Sequence, residues 1–157
     1  MNLQLLLDQY KNNPRLFQLA DRLSFAQTQH IACTNLRGSS PAFVISAVFQ
    51  HEHCATLNHV IVCEDSESAA YLHNSLENLT GALNVYFFPS SFKNRKNFRL
   101  LNASHVMLRT EALTKFSSRP PGSSRVGVLV TYPEALFEKV VLPASLAKNI
   151  IYLKTGD

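Results

Sequence analysis

Residues 35–42 form a Gly/Ser turn with the spacing of a phosphate loop. A working loop of the form G-x-x-x-x-G-K-[ST] uses its lysine on the β- and γ-phosphates and its hydroxyl residue on Mg²⁺. Its glycines let backbone N–H groups surround the anion. In this chain Asn35 and Ser40 replace the two glycines, and Pro41 and Ala42 replace the lysine and the hydroxyl residue. The spacing is therefore present without the groups that hold a nucleotide.

The centre of this turn keeps one feature of an anion site, which is its position before a predicted helix. Helix N-termini bind phosphate and sulfate, and the candidate residues here are Gly38, Ser39, Ser40 and Pro41. Pro41 has no N–H, no lysine is adjacent, and Arg37 precedes the turn. Ser40 suits the N-cap of a helix and Pro41 suits its first turn. We predict a structural turn that binds no cofactor.

Histidine and cysteine, which are zinc ligands, recur in the next part of the chain. The cluster comprises His51, His53, Cys54, His59 and Cys63. No two pairs among them have the spacing of a zinc finger, and the three cysteines of the chain include no C-x-x-C pair. We predict surface histidines, buried reduced thiols and no metal site.

A basic segment that also contains aromatic residues could contact nucleic acid. Its basic residues are Lys93, Arg95, Lys96 and Arg99, and Phe92 and Phe98 lie among them. Basic and aromatic side chains together hold single strands, but a solvated loop has the same composition. The net charge of +4 and a pI near 9.1 permit an anionic partner without requiring one. DNA binding through this loop is an alternative function, and a steep dependence on salt would identify it.

Hydroxyl and carboxylate side chains show no catalytic pattern. The pairs Ser39-Ser40 and Ser90-Ser91 lack the G-x-S-x-G motif of a nucleophile elbow. Glu111 and Glu134 fall in predicted helices, where helix capping or pairing with Arg109 or Lys139 accounts for them. We predict that this chain is not an enzyme. The alternative is a nucleotide-dependent helicase fragment with an atypical loop, which an ATPase assay would reveal.

Apolar strands alternate with amphipathic helices along the chain. The predicted strands are 30–36, 59–63, 84–88, 125–131 and 149–154. The predicted helices are two near the N-terminus separated by Pro14, then 42–52, one between Asp65 and Gly81, 103–116 and 134–139. Strands that are apolar throughout are typical of parallel sheets covered on both faces. The prediction is an α/β fold with a mostly parallel sheet of about five strands and helices on both faces.

Length and composition agree with one soluble domain. The chain has 157 residues, of which 46% are hydrophobic and 17% are charged. It contains no apolar run of 18 residues, and its first twelve residues lack the pattern of a signal peptide. We therefore expect a cytoplasmic protein without membrane contact.

Four stretches together resemble one protein family. They read VYFFPSSF at 85–92, VTYPEALFEKVV at 130–141, RGSSPA at 37–42 and LRTEAL at 108–113. They resemble the N-terminal region of the bacterial transcription-repair coupling factors (Mfd), most closely the Bacteroidetes type. The resemblance runs from the first predicted helix to the last predicted strand.

The resemblance implies a domain organisation. In this family the N-terminal region resembles the first domains of the excision-repair helicase subunit UvrB, with the ATPase function lost. Residues 1–140 would be the degenerate, P-loop NTPase-like helicase domain. Residues 141–157 would be the linker and first strand of the following domain, which recruits UvrA and is largely absent here. UvrB inserts a DNA-clamping hairpin after the strand that matches 84–88, where this chain has only a short basic loop.

The resemblance also implies a function in transcription-coupled nucleotide excision repair. The chain would be a non-catalytic scaffold that supports UvrA recruitment and autoinhibition. UvrA would bind mainly through the following domain, and other parts of the parent protein would contact RNA polymerase and DNA. A separate ATP-dependent motor would supply translocation on DNA.

Overall fold

Three short parallel strands form the sheet in the computed structural model, which describes residues 3–25, 27–81, 84–92, 100–117, 127–141 and 145. The strands are β1 (His59–Val62), β2 (Val85–Phe88) and β3 (Val128–Thr131), in the order β1-β3-β2. β3 pairs with both neighbours, so that Val130 lies opposite Ile61 on one side and Phe87 on the other. The α/β class with a parallel sheet is therefore confirmed.

Six helices accompany the sheet in the described ranges. They are α1 (Leu3–Lys11), α2 (Pro14–Ser24), α3 (Ser40–Phe49), α4 (Ser66–Thr80), α5 (Ala103–Ser117) and α6 (Pro133–Phe137), and a 3-10 turn spans Glu52–Cys54. Local signals set several of their ends. The Asp65 side chain accepts from the Ser68 N–H at 2.7 Å and caps α4, which ends at Gly81 with a φ of 76°. The predicted limits of this helix are confirmed.

The core lies where α4, α5 and α6 meet the central strand. Val128 and Val130 of β3 are almost fully buried, and they belong to one cluster with Leu76, Ala112 and Ala135. A smaller cluster joins α2 to the end of α3 and the 3-10 turn through Ala20, Val48 and Cys54. Burial of β3 on both sides is what a central parallel strand requires.

The prediction of helices on both faces is wrong at β1. Val60 and Val62 are each 53% exposed, whereas Ile61 packs on the main core. Alternate side chains of a strand point to opposite faces, so only one face of β1 is covered. The uniform apolar composition of this strand does not distinguish a doubly covered strand from an edge strand with exposed valines.

The predicted strand 30–36 is also wrong. The segment makes no backbone ladder, and its side chains are exposed except for Ile31, which is half-buried. Asn35 has a φ of 62°, which breaks an extended run before Leu36. The segment instead runs beside α1 and α2 along a groove with a volume of about 440 Å³. The predicted strand 149–154 lies outside the described residues, so the described sheet has three strands.

Candidate functional site

The turn before α3 is closed by hydrogen bonds within four residues. The Ser40 hydroxyl oxygen accepts from the Arg37 N–H at 2.7 Å, and the Ser40 N–H donates to the Arg37 carbonyl at 3.1 Å. Gly38 supplies the left-handed conformation between them, with a φ of 56°. The N-cap is Ser39, with no side-chain capping bond, so the predicted cap at Ser40 is one residue too late. Ser40 turns inward to close the turn and is the first residue of the helix.

The first turn of α3 has few backbone N–H groups left to bind an anion. The Ala42 N–H donates to the Ser39 carbonyl at 3.1 Å, and the Phe43 N–H donates to the same oxygen at 3.4 Å. Pro41 has no N–H, and the Ser40 N–H is bonded within the turn. A phosphate loop depends on these same groups pointing at its ligand. Of the predicted candidate residues, Ser40 and Pro41 therefore offer a phosphate no free backbone N–H.

An open groove of about 630 Å³ lies beside this turn, between α3, the end of β1 and α4. Among the described residues, its lining includes the carboxylates Glu64 and Glu67 and no lysine or arginine. Two negative charges repel a phosphate group rather than neutralise it. Cys63 also lines the groove, and burial raises the pKa of its thiol, with Asp65 and Glu64 adding to the shift. The thiol is thus a poor nucleophile at neutral pH.

The histidines and cysteines between residues 51 and 63 do not meet at one site, and each makes its own contacts. Cys54 is buried, its Sγ donates to the Ala20 carbonyl at 3.6 Å, and burial raises the pKa of its thiol. His53 lies 3.6 Å from the Asp21 carboxylate on the surface. His59 packs edge-on against Phe49, and burial lowers its pKa. No group of three or more potential ligands in the described ranges is placed to hold a metal ion.

The candidate DNA-contacting residues Lys93, Arg95, Lys96 and Arg99 lie outside the described residues. The structure describes the two ends of their loop, where Phe92 and Leu101 form an antiparallel bridge. The DNA-binding alternative therefore stays a prediction.

A buried arginine that the sequence did not predict as a site joins the ends of several elements. Arg109 of α5 is 5% exposed. Its Nη1 donates to the Pro89 carbonyl at 2.8 Å and to the Ala135 carbonyl at 3.1 Å, and its Nε lies 3.5 Å from Glu138 Oε1. Its guanidinium carbon lies 4.0 Å from the centre of the Phe88 ring, a cation–π distance. Burial lowers the pKa of Arg109, and the Glu138 charge opposes that shift.

Glu138 completes this arrangement, which we call the Arg109 cluster (residues 89–91, Arg109 and Glu138). Its Oε2 accepts from the Ser91 N–H at 2.8 Å and from the Ser90 hydroxyl at 3.1 Å. Burial alone would raise the pKa of Glu138, but the bonds from Ser91 and Ser90 and the Arg109 charge lower it overall. The carboxylate is thus ionised, and both of its oxygens have partners within the chain.

Backbone groups of the turn that follows β2 are also engaged. The Ser90 N–H donates to the Tyr132 hydroxyl at 2.8 Å. The Ser90 carbonyl accepts from His105 Nδ1 at 2.8 Å, since a carbonyl oxygen has no proton to donate. The Ser91 carbonyl accepts from the Asn102 N–H at 2.8 Å. Full satisfaction of a partly buried turn is expected of a structural element.

Pairing with Arg109 was one of the alternatives predicted for Glu111, and the described contacts do not show it. Glu111 is two residues away on the same helix, and such positions do not face each other. The observed partner, Glu138, lies beyond β3 and α6. The sequence offered one signal for this site, an arginine beside the apolar residues Leu108 and Ala112 in a predicted helix. That signal indicates that the Arg109 side chain is buried, but it does not identify its partner.

Comparison with known proteins identifies no relative of this chain. No protein-family model matches this chain, and neither do any curated protein or solved structure. None of the helices in the described part combines the length and apolar character that crossing a membrane requires.

Proposed function

We propose that this chain is a non-catalytic scaffold, the degenerate UvrB-like first domain of a bacterial transcription-repair coupling factor (Mfd). The observation that carries the proposal is the turn at 35–42 and the helix start after it, where the N–H groups of Ser40, Ala42 and Phe43 are bonded within the chain and Pro41 has none. The adjoining groove supports it, because its described charges are the carboxylates of Glu64 and Glu67. A parallel sheet with a Gly/Ser turn opening a helix is what a helicase-like domain would retain after losing its nucleotide.

The stretches that carry the family resemblance support a structural role. Residues 85–92, 108–113 and 130–141 supply the partners of the Arg109 cluster, so three of the four stretches meet at one buried site. Their residues bond to one another rather than face a cleft. The scaffold would position the following, UvrA-recruiting domain and restrain it until the parent protein engages stalled RNA polymerase in the cytoplasm.

The first test measures nucleotide binding. Isothermal titration of the chain with Mg-ATP should give no binding heat, because the first turn of α3 has no free donors for the phosphates. A phosphate-loop ATPase titrated under the same conditions is the positive control. Micromolar affinity would contradict the proposal and favour the helicase-fragment alternative.

The second test measures UvrA recruitment. In a pull-down, UvrA should be retained by a form extended through the following domain and not by residues 1–157 alone. Equal retention by the two forms would contradict our assignment of the recruiting surface to the following domain. Retention by neither form would contradict the family assignment itself.

A further inference from the structure

The last described helix is too short to hold its own position. α6 spans five residues, and an isolated helix of that length is unstable in water. Ala135 is fully buried, but Leu136 is 46% exposed and Phe137 is 89% exposed. Residues 139–141 follow without regular structure and are exposed. Contacts from elsewhere must therefore fix the direction in which the chain leaves α6.

Arg109 supplies two of these contacts and joins them to the turn after β2 through a third. Its Nη1 binds the Ala135 carbonyl, near the end of α6, and the Pro89 carbonyl, just after β2. Its Nε faces Glu138, the first residue after α6. A guanidinium presents its donors in a fixed planar fork, so the three partners are held at fixed positions relative to α5.

Glu138 closes the arrangement from the other side. Its second oxygen is bound by Ser91 and Ser90, which belong to the same turn as Pro89. The exit residue is therefore tied to this turn both directly and through Arg109. Separating the two charges would leave a buried guanidinium unpaired, which is costly, so we expect the contacts to form and break together.

We infer that the Arg109 cluster is a latch that fixes the path of the chain after α6. This inference uses contacts within this chain alone and holds whether or not the proposed function is correct. Opening the latch would release residues 138–141 while the sheet and the main core stay folded, because β3 and α4 pack without these contacts.

Limited proteolysis of the whole chain tests the latch. Trypsin cleaves after the exposed Lys139, but it needs several residues on each side to unfold locally. Ser90→Ala and Arg109→Lys leave the sequence around Lys139 unchanged, and each should raise the initial rate of cleavage there about tenfold, the effect of losing a hydrogen bond to a charged group. Cleavage after Lys11 and Arg22 should change much less. Mass spectrometry of the fragments assigns each rate.

The matched control is Glu77→Gln, which removes a carboxylate paired with His73 on α4 at 3.5 Å. It should leave the cleavage rate after Lys139 unchanged. An equal rise at all cleavage sites in Ser90→Ala would mean general destabilisation and would overturn the inference, as would an unchanged rate at Lys139.

A second measurement does not depend on protease sequence preference. In Glu138→Gln, amide hydrogen exchange followed by NMR should show the Ser91 N–H exchanging about tenfold faster, because it loses a charged acceptor. Amides of β3 should keep their wild-type rates. Unchanged exchange at Ser91 would contradict the latch.

Discussion

Two turns of this molecule use the same residue types in opposite ways. Ser39-Ser40-Pro41 begins α3, and Pro89-Ser90-Ser91 follows β2. In the first turn Ser40 bonds to a residue three positions away. In the second, Ser90 and Ser91 bond to Tyr132 and Glu138, which are 42 to 48 positions away.

The two turns also differ in burial, and the turn with the distant partners is the more buried one. Gly38 and Ser39 are exposed, whereas Pro89 is fully buried and Ser91 is 8% exposed. The first turn has the sequence position of a catalytic loop, and its observed bonds are those that begin a helix. The second has no catalytic signature and holds distant parts of the fold together. Resemblance to a catalytic motif is thus a poor guide to which turn matters most for this protein.

The largest loss of stability should come from removing the positive charge of Arg109, which contacts the second turn. Arg109→Met leaves Glu138 without its buried partner and two carbonyls without their donor, and should lower the free energy of unfolding by about 3 to 5 kcal/mol. Urea denaturation followed by circular dichroism measures it. Arg37→Met, at the exposed first turn, is the matched control and should cost less than about 0.5 kcal/mol. Similar losses in both variants would remove the contrast between the turns.

An intermediate effect should appear as a pH dependence. The pKa of Glu138 is lowered in the folded chain, so the unfolded chain binds its proton more tightly. Its contribution to stability is present above the unfolded pKa and is lost as the pH falls through the folded pKa. In denaturation between pH 3 and pH 7, Glu138→Gln should be less stable than wild type at neutral pH, and this difference should shrink on acidification. A constant difference would show that the carboxylate charge contributes nothing.

Sequence reasoning succeeded where the signals were local. Asp65 and Gly81 fix the ends of α4 because capping depends on the residues next to the helix. β1 and β2 were recognised as short apolar runs. The segment 30–36 has the same appearance, but a strand needs a partner, and this segment pairs with none of β1, β2 and β3.

The sequence pattern could not predict the Arg109 cluster, for a related reason. The Pro89 and Ala135 carbonyls lie 20 and 26 positions from Arg109, and no spacing rule connects them. The departure of residues 35–42 from the phosphate-loop pattern is visible in the sequence, because the two motif glycines and the lysine are replaced. The groups that bind each other inside the fold become visible only when the strands and helices are assembled.

The smallest predicted effect is seen when Ser90 and Ser40, one serine from each turn, are each replaced by alanine. Ser90→Ala removes a hydroxyl that donates to Glu138 and accepts from the Phe92 N–H, and should cost about 1 to 2 kcal/mol. Ser40→Ala removes one acceptor from the Arg37 N–H, which water can replace at the surface, and should cost less than about 1 kcal/mol. Parallel urea denaturation of the two variants gives the difference. A larger loss in Ser40→Ala would mean that the turn before α3 contributes more to the fold than its local bonds indicate, and the ranking of the two turns would reverse.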